Sequence, residues 1–308
     1  MAKRRYEFAD EAFLARLERL HLIAKRLASR QTAGARRSGG IGDGLEFADH
    51  RAYSPGDDIR FIDWPYYARM DKLLLRLFHP HSDRDVVILL DTSGSMAPTL
   101  PGTSRRAGEK FNAARRIVAA LAYVAMGALD RVVCQPFGET LGVAMHSGRN
   151  RRQVLAVLDF LAGLEPGGGT ALSACVRRMV RARSARAAAA IVVIVSDLVD
   201  AGDALDDALG CLTAGGHDVA VLQVYGRADA DPPAEGAIAV YDAETQSRLD
   251  VHVTDALRRS YRRRFEAFRA GCERLCRARG ASYAAAPSDL PMERFVLHTL
   301  RRAGVLAG

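Results

Sequence analysis

One carboxylate and two hydroxyls stand on alternate residues, Asp91, Ser93 and Ser95, directly after the apolar run Val86-Val-Ile-Leu-Leu90. A second acid, Asp197, follows a second apolar run, Ile191-Val-Val-Ile-Val195, with one serine between. Between the two, Gly167-Gly-Gly169 leads to Thr170 at an expected helix start, where its hydroxyl could cap the helix. Two acids and three alcohols make an all-oxygen set with no sulfur or imidazole. Such a set suits a hard cation, Mg²⁺, Mn²⁺ or Ca²⁺, and argues against zinc or copper. The alternation at 91, 93 and 95 lets a tight turn, eased by Gly94, bring the three side chains to one point. Three of the five groups are neutral, so a bound ion stays under-neutralised and would welcome a carboxylate from outside.

Other chemistries fit these residues less well. An acid after a buried strand is also how aspartyl-phosphate enzymes begin, which makes a phosphatase or phosphotransferase using Asp91 the alternative reading. Those enzymes usually carry a second acid two residues on, and here that residue is Ser93. Neither Ser93 nor Ser95 sits in a Gly-x-Ser-x-Gly elbow. His79-Pro-His81 could suggest a metal pair, but a strand-end turn explains it as well. Cys272 and Cys276 lie four apart on an expected helix, yet no second Cys/His pair stands at ligand spacing, so helix packing explains them better than zinc. The five cysteines are scattered and odd in number, as reduced core residues would be.

The elements that must position the acids follow from periodicity. Residues 7 to 30 carry apolar residues at three-and-four spacing and read as an amphipathic helix, followed by a Gly/Arg-rich linker over 32–44. From residue 85 short apolar runs alternate with helical segments. Strands are expected near 85–91, 131–138, 140–146, 188–196, 217–225 and 281–286, and helices near 108–129, 150–162, 171–184, 202–214, 254–279 and 291–303. This alternation implies a doubly wound, mainly parallel six-stranded α/β sheet. Strands 131–138 and 140–146 are joined too tightly for a crossover, so one of them runs antiparallel. Residues 227–253 read as an insertion. In such sheets ligands bind beyond the carboxyl ends of the strands where the strand order reverses. If the first and fourth strands are neighbours there, Asp91 and Asp197 converge, beside a mobile 167–169 loop.

Asp91-x-Ser93-x-Ser95, Thr170 and Asp197 together resemble the metal-ion-dependent adhesion site of the von Willebrand factor A domain. The resemblance implies a Rossmann-like strand order, 3-2-1-4-5-6, with one antiparallel edge. It also implies that Ser and Thr hydroxyls bind the metal, most often Mg²⁺, that the acids support it, and that an acidic partner residue completes the shell. Upstream, Glu46-Phe-Ala-Asp-His-Arg51 through Asp63-Trp64 and Ala68-Arg69 is similar to the signature of the bacterial domain-of-unknown-function family fifty-eight. That likeness runs through nearly the whole chain, including Tyr241-Asp-Ala-Glu-Thr245, and implies a MoxR-type AAA+ ATPase, or its client, as partner. The function it implies is a metal-dependent protein-protein interaction module, an adaptor or co-chaperone and not an enzyme.

The expected division is 1–84, holding the first helix, the linker and the signature segment, and 85–308, the A-like domain. Within the signature, Asp57, Asp58 and Asp63 alternate with Arg51, Arg60 and Arg69 around the single tryptophan, Trp64. Paired charges clamping the N-terminal segment onto the A-like domain, near a buried Trp64, are the first expectation, and a partner-binding surface is the second. The formal net charge is +8, but the basic residues are spread along the chain without aromatic interleaving, so no nucleic-acid partner is expected. Arg258, Arg259 and Arg262 to Arg264 read as a solvated helical face. No apolar run reaches the roughly 18 residues of a membrane helix, and the start of the chain lacks the apolar core of a signal peptide, so the expectation is a cytoplasmic protein without a transmembrane segment.

Overall fold

A computed structural model describes residues 8–10, 12–20, 47–78, 85–97, 109–127, 130–147, 153–183, 189–199, 202–232, 236–241, 247–289 and 296. In chain order the elements are α1 (residues 12–20), β1 (Phe47–Ala52), α2 (Trp64–Met70), β2 (Leu74–Phe78), β3 (Asp85–Asp91), α3 (Glu109–Gly127), β4 (Arg131–Phe137), β5 (Met145–Ser147) and α4 (Val154–Ala162). There follow α5 (Leu172–Ala182), β6 (Ile191–Ser196), α6 (Gly202–Ala214), β7 (Asp218–Tyr225), α7 (Arg227–Ala230), β8 (Gly236–Tyr241), β9 (Arg248–Val253), α8 (Asp255–Ala278) and β10 (Ser282–Pro287). Residues 47–78 fall in one compact unit, and the described residues on either side of them fall in a second.

The larger unit is built on a six-stranded sheet in the order β10-β7-β6-β3-β4-β5. Every neighbouring pair is parallel except β4 and β5. Counted by these six strands alone and read from the β5 edge, the order is the expected 3-2-1-4-5-6. The central strands are apolar along their whole length because both faces are covered, so successive side chains go to opposite layers. Val86, Ile88 and Leu90 join one core with α3, α4 and the α1 residues Phe13, Leu17 and Leu20. Val87 and Leu89 join the other with α5, α6 and α8. The chain leaves β3 towards β4 on one side and returns to β6 on the other. The carboxyl ends of β3 and β6 are therefore neighbours, with Leu90 opposite Val195.

The antiparallel edge departs from expectation. Strand 140–146 is reduced to the three residues of β5, because Gly142 N turns back to donate to Pro136 O at 2.9 Å. A Cβ at Gly142 would meet Pro136 Cγ at 2.7 Å, so the turn needs glycine there. The 227–253 insertion holds α7 and an antiparallel hairpin of β8 and β9. The Gly/Arg-rich 32–44 stretch, His79, His81, residues 21–30 of the first expected helix and all of 291–303 except Val296 lie outside the described residues. All five cysteines are free, and burial pushes the Cys276 thiol in α8 up to about 12, well away from thiolate chemistry. Among the described residues no helix is long and apolar enough to cross a membrane.

In the smaller unit β1 pairs antiparallel with β2, and α2 lies between them in sequence. The acids of the signature segment serve local geometry. Asp63 caps α2 by accepting from Tyr66 N through Oδ1 at 3.0 Å, while Oδ2 accepts from His50 Nε2 at 2.8 Å. Asp57 accepts from Arg51 Nη2 and Ser54 N, and Asp58 from Arg60. Hydrogen bonds from His50 and Arg51 hold the Asp63 and Asp57 carboxyls below their ordinary range. Two expectations for the clamp are corrected. Trp64 is 55% exposed and meets Tyr67 edge-on, and Arg69 donates to the Pro65 carbonyl and to no acid among the described residues. A tryptophan at the first position of a short capped helix points wherever that cap turns it, which charge alternation does not encode.

Candidate metal centre

Asp91 is the last residue of β3 and is 2% exposed. Its Oδ1 accepts from Ser93 N at 2.8 Å, which folds the chain into the short 3-10 turn Gly94–Met96 and brings Ser93 and Ser95 together, Oγ to Oγ, at 3.0 Å. Ser95 Oγ donates to Asp197 Oδ1 at 3.2 Å. Asp91, Ser93, Ser95 and Asp197 are thus one contiguous cluster, spanning adjacent strand ends as the topology requires. Asp197 is also 2% exposed, and its Oδ1 accepts from Val199 N at 3.1 Å.

The 167–170 loop lies against the same turn. Gly167 N donates to Thr92 O at 2.9 Å, and Gly94 N to Gly168 O at 2.7 Å, so the loop brackets Ser93. Gly169 N donates to Glu139 Oε1 at 3.0 Å, and Ala171 N to Gly138 O at 2.9 Å. Gly168 takes φ +73°, the left-handed conformation glycine adopts at least cost. The loop expected to be mobile is therefore laced at four points. Thr170 does not cap α5: the helix starts at Leu172 behind Ala171, without a side-chain cap. Thr170 Oγ1 is instead buried with no hydrogen-bond partner.

Three participants carry no motif signal. Ser196 Oγ donates to Asp91 Oδ2 at 2.5 Å. Lys110, near the start of α3, reaches Asp197 Oδ2 at 2.8 Å and Asp229 Oδ2, at the foot of the insertion, at 3.1 Å. Glu139 holds the glycine loop. Ser196 is visible in sequence only as the hydroxyl before Asp197. Lys110 stands out only as one of four lysines in an arginine-rich chain.

The electrostatics follow from crowding acids in a buried space. Burial, with the like charge of Asp197 second, pushes Asp91 up to about 6, against the hydrogen bonds of Ser196 and Ser93. Burial pulls the Lys110 ammonium down, but Asp197 and Asp229 outweigh it and the net direction is up. Among the described residues Lys110 bridges Asp197 and Asp229, while Asp91 meets Asp197 as a like charge, so negative charge is in excess here. A divalent cation fits that excess. The orphaned Thr170 hydroxyl, at the end of a loop bonded on both sides of Ser93, suits an oxygen-seeking ion as well. Among the described residues no three His, Cys, Asp or Glu side chains gather around one point, so an ion here would depend on Ser93, Ser95 and Thr170.

Residues 49–271 match the family described as Protein of unknown function DUF58. The chain belongs to that family. Uncharacterized proteins of Mycobacterium tuberculosis and Mycobacterium bovis are 27% identical to this DUF58 chain over 278 residues, covering 87% of it and 83% of their own length. Among solved structures, the conserved hypothetical protein BatB from Bacteroides thetaiotaomicron aligns over 72% of the DUF58 chain and 99% of its own, at 16% identity and a TM-score of 0.46. A von Willebrand factor type A protein from Catenulispora acidiphila aligns over 73% and 44%, at 14% identity and a TM-score of 0.42.

Proposed function

We propose that this DUF58 protein is a metal-dependent protein-protein interaction module that recognises an acidic residue of its partner through a divalent ion. The observation that carries the reading is the Thr170 hydroxyl, buried without a partner in a loop bonded to both sides of Ser93. Ser93, Ser95 and Thr170 would hold the ion, Mg²⁺ first and Mn²⁺ or Ca²⁺ as alternatives, with Asp91 and Asp197 supporting it. When bound, the ion supplies a positive centre in a partly dehydrated crevice, where pairing with a carboxylate is stronger than in open water. The partner class implied by the family resemblance is a MoxR-type AAA+ ATPase or its client, with this chain as adaptor or co-chaperone.

The phosphatase alternative needs Asp91 free to attack. Both its oxygens are engaged, Oδ1 by Ser93 N and Oδ2 by Ser196 Oγ, and the side chain is buried. Aspartyl-phosphate formation at Asp91 and turnover of phosphomonoesters are therefore not expected. Calorimetric titration with Mg²⁺ and Mn²⁺ tests the site: binding to wild type, lost in an Asp91→Ala, Ser93→Ala double variant, supports it, and equal heats in both overturn it. Capture of a co-expressed MoxR-type ATPase with and without chelator tests the partner. A complex indifferent to chelator and to Thr170→Ala would remove the ion from recognition.

A further inference from the structure

The lysine bridge offers something that no hydroxyl or acid of the motif does. Lys110 has a side chain only 7% exposed, and its ammonium lies between Asp197, in the cluster, and Asp229, in α7 of the insertion. Neither contact is adventitious. Asp229 Oδ2 also accepts from Gly226 N at 2.8 Å, and its carbonyl accepts from Tyr261 of α8, so this acid is fixed in its own backbone. On the other side Asp197 is held through both oxygens: Oδ2 by Lys110, Oδ1 by Ser95 Oγ and Val199 N. Its carbonyl accepts from Gln223, whose Oε1 accepts from Tyr283.

We infer that Lys110 is a positioning residue that holds Asp197 back as an acceptor for Ser95 and leaves a bound cation under-neutralised, so that the centre prefers an external carboxylate. This rests on the proposed metal-dependent reading. An acid whose Oδ2 is committed to an ammonium has less charge to lend to a neighbouring ion. Asp229 in turn takes up part of the Lys110 charge, which sets how strongly Lys110 opposes an incoming cation. The foot of the insertion is thereby part of the electrostatics of the centre, although no residue of the insertion belongs to the motif.

The consequence is a pair of opposite signs. Without the ammonium, Asp197 is free to neutralise the ion, so Lys110→Met should bind Mn²⁺ at least tenfold more tightly than wild type. The Mn²⁺-loaded variant should then bind acetate at least tenfold more weakly, read as a smaller loss of water-proton relaxation enhancement when acetate displaces bound water. Lys110→Arg keeps the charge and should stay near wild type in both. Asp229→Asn leaves the motif and its core intact and should weaken Mn²⁺ binding several-fold, keeping the assignment testable if Lys110→Met does not fold. A loss or no change of Mn²⁺ affinity in Lys110→Met, or unchanged Mn²⁺ affinity in Asp229→Asn, would overturn the inference while leaving the metal reading standing. Wild type that binds no Mn²⁺ would overturn both.

Discussion

Ser196 Oγ donates to Asp91 Oδ2 at 2.5 Å across the boundary between β6 and β3, and accepts from Leu198 N at 2.8 Å. One hydroxyl thereby fixes the Asp91 carboxylate and starts the turn that carries Asp197. Ser196→Ala leaves a buried carboxylate oxygen without its donor. Hydrogen bonds to charged groups are worth about 1.5–3 kcal/mol, so unfolding stability in urea should fall by about 2 kcal/mol. Mn²⁺ affinity should fall by about tenfold as Asp91 loses its orientation. Wild-type values for both would show the contact to be idle.

Asp91 yields a pH dependence with a definite sign. Its folded value of about 6 lies above its ordinary 3.8, so the folded protein binds this proton more tightly than the unfolded chain. The group costs nothing below about pH 4 and costs progressively more stability as the pH rises through 6. A displacement of that size corresponds to roughly 3 kcal/mol. In chelator, the stability of wild type relative to Asp91→Asn should therefore drop by about that amount between pH 4 and pH 7, measured by denaturant unfolding. Excess Mg²⁺ should remove most of the drop. Parallel pH profiles for the two proteins would show that Asp91 is not strained when charged.

The sheet could be read because its central strands are apolar on both faces, and only burial between two helical layers produces Val86 to Leu90 and Ile191 to Val195. The four-residue cluster could be read because Asp91, Ser93 and Ser95 are local in sequence and the strand order brings Asp197 beside them. The Lys110 bridge could not: Lys110 meets Asp197 across 87 residues of separation and Asp229 across 119, through contacts that depend on side-chain reach. The Thr170 cap failed because one residue of helix phase separates capping from pointing elsewhere, and local propensity does not resolve one residue. Trp64 failed for a related reason. Aromatic content argues for burial on average, yet the Asp63 cap fixes the start of α2 and leaves the ring outside.

Trp64→Ala accordingly should cost little. With the ring 55% exposed, the change should stay within about 1 kcal/mol, the range of surface substitutions. Leu75→Ala, at a residue of β2 only 1% exposed, should cost about 2–5 kcal/mol in the same unfolding assay. If Trp64→Ala proves as costly as Leu75→Ala, the exposed placement of the ring is wrong. If it is cheap but abolishes capture of a partner, the signature segment is a recognition surface, as its exposed Ile59, Trp64 and Met70 would allow.

Thr170→Val separates a ligand from a structural residue by the direction of its effect. Valine keeps the shape of threonine and deletes only the hydroxyl. That hydroxyl is buried and unpartnered, and a buried polar group without a hydrogen bond costs about 1–3 kcal/mol. In chelator the variant should therefore be as stable as wild type or more so, by about 1 kcal/mol. With saturating Mg²⁺ the order should reverse, because wild type gains the full binding free energy and the variant gains less. A thermal-shift series in chelator and in Mg²⁺ reads both arms. Were Thr170 a structural residue, the variant would lose stability equally in both; were the centre unable to bind an ion, the valine advantage would persist at every Mg²⁺ concentration.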